Sequence, residues 1–213
     1  MDFSINSKFY HFMNKVADLM ILSGLWFVTS LPIFTIGASC TALYYCVVKV
    51  VRQENGSAFK SYFQAFRSNF KQSTIIFLLV LAASLLMTAI GSAVYAIFQA
   101  KSTLDNIYLV YLVALIFTIA WLHYIFSYIA RFQAPLKTVL KNSLVICLVN
   151  LPSSLSMVIL FAVVIVGFIM SFPSSAMTIF LIPGIYALIS SFLLEKIYRK
   201  YADMEEETCV PED

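Results

Sequence analysis

Four stretches of this chain contain no aspartate, glutamate, lysine or arginine: Leu19–Val48, Gln72–Ala100, Asn106–Ala130 and Asn142–Leu194. A helix needs about 20 predominantly apolar residues to cross the hydrocarbon core of a bilayer. Each window is long enough for one crossing, and the last, at 53 residues, must hold two. A soluble fold would need polar faces on these segments, and they have none. Composition points the same way: 61% of the residues are hydrophobic and 12% are charged, against roughly 25% charged in an ordinary soluble domain.

The windows resolve into helices through their breakers. Leu31-Pro32-Ile33-Phe34-Thr35-Ile36-Gly37 interrupts the first window. Proline ends a helix at or before the residue that precedes it, and glycine permits the turn that follows. Pro32 and Gly37 therefore predict a structural turn between helices over about 16–31 and 38–52. The pair forms either a full crossing hairpin or a re-entrant one, and in both cases the chain returns to its starting side. A polar loop containing a short helix follows, then helices over about 73–100 and 107–130. Ser171-Phe172-Pro173-Ser174-Ser175 divides the last window into helices over about 143–171 and 175–197, with a kink expected at Asn150-Leu151-Pro152. The expected fold is an all-α polytopic bundle: six membrane segments, the first two a short Pro/Gly hairpin, plus one cytoplasmic interfacial amphipathic helix. Residues 1–201 read as one integral membrane domain and 202–213 as an acidic cytoplasmic tail, expected to be disordered. No cleavable signal peptide is expected, because no small-x-small site follows the first apolar run.

Orientation follows from the cations. With the hairpin in place, 13 of the 14 lysines and arginines fall on one side and only Lys101 on the other. Cytoplasmic loops carry such an excess, so both termini are expected in the cytoplasm of a bacterial cell membrane. Counting Leu19–Val48 as a single crossing would largely abolish the bias.

The sharpest local pattern lies in Ser57–Lys71. Phe59, Tyr62, Phe63, Phe66 and Phe70 form one narrow aromatic stripe at helical spacing, flanked by Lys60, Arg67 and Lys71. Two occupants suit such a helix. Lipid would take the rings into the interface and the cations onto anionic headgroups; a protein partner would take the stripe into a groove. Sequence leaves both open.

Signs of chemistry are sparse. No HExxH, GxSxG, P-loop or pair of carboxylates within a span occurs, so no catalytic residue, metal ligand or cofactor site is assigned and no enzyme is expected. Nothing points to nucleic acid. His123 reads as a hydrogen-bonded packing residue. Ser153, Ser154 and Ser156 are expected to pack helices or satisfy backbone groups freed by Pro152. Gly167 and Gly184 read as close-packing sites. Four cysteines give no disulfide framework.

Two stretches together carry a family resemblance. Leu25-Trp26-Phe27-Val28-Thr29-Ser30-Leu31-Pro32-Ile33-Phe34-Thr35-Ile36-Gly37-Ala38, followed by Thr41-Ala42-Leu43-Tyr44-Tyr45, resembles the amino-terminal signature of the YesL family; so does Phe59-Lys60-Ser61-Tyr62-Phe63-Gln64-Ala65-Phe66-Arg67-Ser68-Asn69-Phe70-Lys71-Gln72. These are small bacterial membrane proteins of unestablished biochemical function. The likeness covers the first 75 or so residues in detail. It implies an accessory or regulatory role in carbohydrate uptake, beside the membrane subunits of a sugar-importing ABC transporter. No functional residues of the family are defined to carry over. The contrasting expectation is a small permease or channel that acts alone.

Overall fold

The computed structural model describes residues 3–54, 56–97, 104–132, 134–171 and 176–208. Seven α-helices follow one another: α1 (Phe3–Ser30), α2 (Ile36–Cys46), α3 (Ala58–Ile97), α4 (Leu104–Arg131), α5 (Leu136–Val149), α6 (Leu151–Ser171) and α7 (Ala176–Thr208). A three-ten turn, Ile33–Thr35, leads into α2, and a π-helical segment, Val47–Arg52, prolongs it. Among the described residues, six stretches are long and apolar enough to cross a membrane: Phe9–Ser30, Ile33–Arg52, Ala58–Ala93, Val110–Arg131, Leu151–Ile169 and Leu181–Tyr201. The chain is thus an all-α multi-pass membrane protein, as its charge-free windows require.

Element boundaries differ from expectation in three places. No proline or glycine separates the aromatic–basic segment from the next span, so the two form one 40-residue helix, α3. At 1.5 Å per residue α3 is roughly 60 Å long, about twice the hydrocarbon thickness. The expected kink at Asn150 is instead a complete break. Asn150 leaves helical geometry at φ −109°, ψ 48°, and α5, with 14 residues, is too short to span. Finally, α7 runs on as far as Thr208, into the acidic segment; 209–213 lie outside the described residues, as does Lys101.

Helix α2 is the centre of the bundle, packed by α1, α3, α4 and α7. Its inner residues feed two cores. One joins Ala42, Leu43, Cys46 and Val47 to Leu19 and Leu22 of α1 and to Ala58, Tyr62 and Ala65 of α3. The other sets Tyr44 among Tyr124, Ile125 and Tyr128 of α4 and Leu194 and Tyr198 of α7. By contrast α3 beyond Ile76 and most of α6 are exposed and apolar, among them Leu85, Leu86, Met87, Val163 and Ile169. In water these surfaces would aggregate; in a bilayer they face the solvent they match.

Two glycines set helix distances. A Cβ on Gly37 would lie 2.7 Å from the Ser73 carbonyl oxygen and 2.8 Å from Phe77 Cβ. Gly37 therefore does not make the turn, as the sequence suggested. It sits inside α2 and lets α3 approach, while Pro32, at φ −76° and ψ 121°, opens the three-ten turn. Gly184 packs as expected: a Cβ there would meet Ser23 Oγ at 2.6 Å, and its N–H donates to that oxygen at 2.9 Å. Gly167 has nothing within 4 Å of the equivalent position, so its close-packing role falls away.

These geometries predict opposite effects for one added methyl. Gly37→Ala forces backbone apart and should cost about 1–3 kcal/mol. Gly167→Ala should be neutral or gain up to about 1 kcal/mol of helix propensity. Thermal unfolding of the two variants in one detergent measures the difference, and equal midpoints would remove Gly37 as a close contact.

Candidate functional site

The aromatic–basic segment forms the first four turns of α3, which begins directly after Ser57. Its inner edge packs against the hairpin: Ala58, Ser61, Tyr62 and Ala65 are all buried. The stripe therefore divides. Tyr62 is fully enclosed, and its hydroxyl lies 2.7 Å from Thr29 Oγ1. Ser39 Oγ donates to the same Thr29 oxygen at 3.0 Å, and Thr35 Oγ1 donates to the carbonyls of Thr29 and Pro32. These hydroxyls satisfy one another where water is scarce and tie the hairpin turn to α3. The remaining rings face outward: Phe59 is 59% and Phe63 42% exposed, with their centroids 4.9 Å apart. Phe66 and Phe70 are half-buried and 5.4 Å apart. Lys60, Arg67 and Lys71 stand exposed on the adjoining edge, none paired with a carboxylate among the described residues. Gln72 Nε2 donates to the Ala134 carbonyl at 2.9 Å, which sets the end of this segment level with the carboxyl end of α4. The surface so formed, two exposed rings beside three free cations, suits a partner that offers apolar area and negative charge together.

A second site was not legible in the same way. Where the ends of α2 and α4 meet the second half of α7, Arg131 Nη1 donates to Glu195 Oε2, and both side chains are largely enclosed. Tyr44 Oη donates to the other carboxylate oxygen at 3.5 Å. The Arg131 guanidinium also makes cation–π contacts with Phe132 and Tyr198, and Tyr198 is fixed by Ser127 Oγ at 2.6 Å. Arg52 braces the same region by donating to the Ser191 carbonyl at 3.0 Å and covering Phe192. The pair borders a polar cleft of about 410 Å³, into which Tyr45, Lys49 and Arg199 also face. In the sequence Glu195 is the first residue of a charged run with Lys196, Arg199 and Lys200, and composition alone does not set it apart. Helical phase would have found it. Ser191, Leu194, Glu195 and Tyr198 are all buried at spacings of three, four and seven, whereas Lys196, Arg199 and Lys200 are exposed.

The other singled-out residues have structural roles. His123 Nδ1 lies 2.7 Å from the Ile119 carbonyl, and the ring meets Phe161 and Tyr186 edge-on. Ser154 Oγ donates to the carbonyls of Cys147 and Asn150 at 2.8 and 3.0 Å, which ties the first turn of α6 to the end of α5. Ser156 Oγ donates within its own helix, to the Ser153 carbonyl at 2.7 Å. On the loop side of the bundle, Lys15 donates to Glu54 at 2.8 Å, and this bond holds the carboxyl below its ordinary pKa.

The buried ion pair gives a stability prediction. Glu195→Ala leaves the Arg131 charge enclosed and uncompensated, which should cost about 3–5 kcal/mol. Arg131→Met combined with Glu195→Leu removes both charges and should recover most of that loss. Unfolding of the single and double variants in detergent tests this; a double variant no more stable than Glu195→Ala would show that the pair contributes something other than charge neutralisation.

Comparison with known proteins adds one finding. No curated protein and no solved structure matches the chain. Residues 19–89 match the family described as protein of unknown function, DUF624, and this part of the chain takes in the carboxyl-terminal part of α1, all of α2 and the aromatic–basic turns of α3.

Proposed function

We propose that this chain is a YesL-type, non-catalytic accessory or regulatory component of carbohydrate uptake, which docks on the membrane subunits of an ABC importer at the cytoplasmic face. The observation that carries the reading is the outward edge of α3. Phe59 and Phe63 are exposed beside Lys60, Arg67 and Lys71, on a helix whose opposite edge is locked to the hairpin by Tyr62. A rigid aromatic edge with a basic flank complements an apolar groove with an acidic rim. The family likeness lies in the same segment, so the residues that carry the resemblance are those that build the surface. The closely packed cores around α2 favour this reading over a stand-alone permease or channel, since Leu22, Val47, Ile125 and Leu194 fill the space between helices.

In this reading the loop before α3 and the carboxyl end of α7 face the cytoplasm, and the α3–α4 turn faces outward. In a cysteine-free background, an impermeant maleimide applied to intact cells should label Thr103→Cys and spare Ser57→Cys. Labelling at Ser57→Cys would overturn the orientation.

The docking surface has its own test. Changing Lys60, Arg67 and Lys71 to glutamine should leave abundance unchanged and lower copurification of importer subunits from native membranes at least about tenfold, since each such charge near a membrane surface is worth about 1 kcal/mol. Phe59→Ser with Phe63→Ser should do the same, whereas Tyr62→Ser should reduce abundance itself. Undiminished copurification of the charge variant at equal expression would leave the lipid interface as the occupant of this surface. Solute flux in liposomes holding this chain alone would favour the permease instead.

A further inference from the structure

We infer that the cleft between α2, α4 and α7 is a binding site for a phosphate-bearing anion. Three cations converge on it from three helices: Lys49 from the π-helical segment, Arg131 from the end of α4 and Arg199 from α7. One carboxylate, Glu195, faces the same space, and it is engaged by Arg131 and Tyr44. The cleft therefore holds an excess of two positive charges. Lys49 spends one N–H on Tyr45 Oη, at 3.0 Å, with no carboxylate partner among the described residues.

Arg131 is held ready to serve such a ligand. One terminal nitrogen is committed to Glu195, and the guanidinium carbon lies 5.5 Å from the Phe132 ring centroid and 5.8 Å from that of Tyr198. A guanidinium has five N–H donors in a fixed fork, so an arginine anchored at one nitrogen retains donors for a tetrahedral oxyanion. Tyr45 adds a hydroxyl at the rim.

A tendency of cations to collect at one side of a membrane protein accounts for positive charge at this end, and favourable placement near helix carboxyl termini accounts for some of it. Neither accounts for convergence on one cleft or for an internal carboxylate that orients one cation. The backbone here is also unusual. Gln53 N–H bonds the carbonyl of Val48, five residues back, at 3.2 Å, and π-helical turns of this kind occur often at functional sites. Its volume of about 410 Å³ falls within the usual range for small-ligand pockets. The required chemistry is a phosphate group, carried either by a soluble phosphate ester or by an anionic lipid headgroup.

The test uses the whole protein purified in a neutral detergent at constant ionic strength. Glycerol 3-phosphate serves as the soluble probe, dioctanoyl phosphatidylglycerol as the lipid probe, and dioctanoyl phosphatidylcholine as the zwitterionic control. At least one phosphate probe other than the zwitterionic lipid should raise the thermal midpoint saturably. Lys49→Gln with Arg199→Gln, which leaves the buried ion pair intact, should weaken that binding at least about tenfold, as loss of two near-surface charges implies. Arg67→Gln with Lys71→Gln removes equal charge from the α3 surface and should leave it unchanged, which separates this site from the docking surface proposed above. Saturation by glycerol 3-phosphate assigns a soluble ester; saturation by phosphatidylglycerol alone assigns a lipid headgroup. Absence of saturable binding by either, or equal affinity in the Lys49→Gln/Arg199→Gln variant, would overturn the inference.

Discussion

The architecture depends on the approach of α3 to α2 at Gly37. Lipid tails are as apolar as leucine, so helices in a bilayer gain little from burying apolar side chains against one another; contact must be gained by close packing and by hydrogen bonds. At Gly37 there is no room for even a methyl group between α2 and the backbone of Ser73. Beside it Thr41 Oγ1 reaches Ser73 Oγ at 3.0 Å. This contact places α2 where α1, α4 and α7 can close around it, and so it sets both the aromatic edge of α3 and the cleft at the end of the π-helical segment.

Around that contact buried side-chain hydroxyls are largely satisfied within the protein, with Ser30, Thr74 and Tyr186 the exceptions among the described residues. Short hydroxyl side chains do most of this. Ser23, Thr29, Ser39, Ser127 and Ser154 bond carbonyls of their own helices or link two helices. The larger groups are kept for the ends: Arg52 against the Ser191 carbonyl and Arg131 against Glu195. The result is a gradient, from hydroxyl pairs in the interior to full charges at the basic end, where an ionised side chain is less costly to hold.

Much of this was legible in the sequence because the bilayer imposes a length and a charge rule that leave little choice. The six spans follow from four charge-free windows and two proline-bearing breaks. What escaped the reading was azimuth. A stripe at Phe59, Tyr62, Phe63, Phe66 and Phe70 specifies a face, but not which edge of it meets protein, and Tyr62 turned out to belong to the core. Gly37 was assigned to the turn through its nearness to Pro32, although its role depends on α3, 36 residues further on. Glu195 adjoins Lys196, Arg199 and Lys200 in the sequence, and only its phase on α7 distinguishes it. The break after Val149 was underestimated because Pro152 alone permits a kink, and only Asn150, leaving helical geometry, makes the separation complete.

The π-helical segment carries one further consequence, for the tolerance of the chain to insertion and deletion. A π-turn holds one residue more than the α-turn it replaces, so removing any single residue from Val47–Arg52 would let the backbone relax to ordinary α geometry. Everything beyond the deletion would keep its phase relative to α2, because the π-turn and the α-turn that replaces it each complete one circle. The same deletion within the regular helix Ile36–Cys46 would rotate all that follows by about 100°. The cost would fall inside the segment, where the buried Val50 and Val51 would repack and Arg52 would shift from the Ser191 carbonyl. This stretch can thus give up one residue where the helix before it cannot.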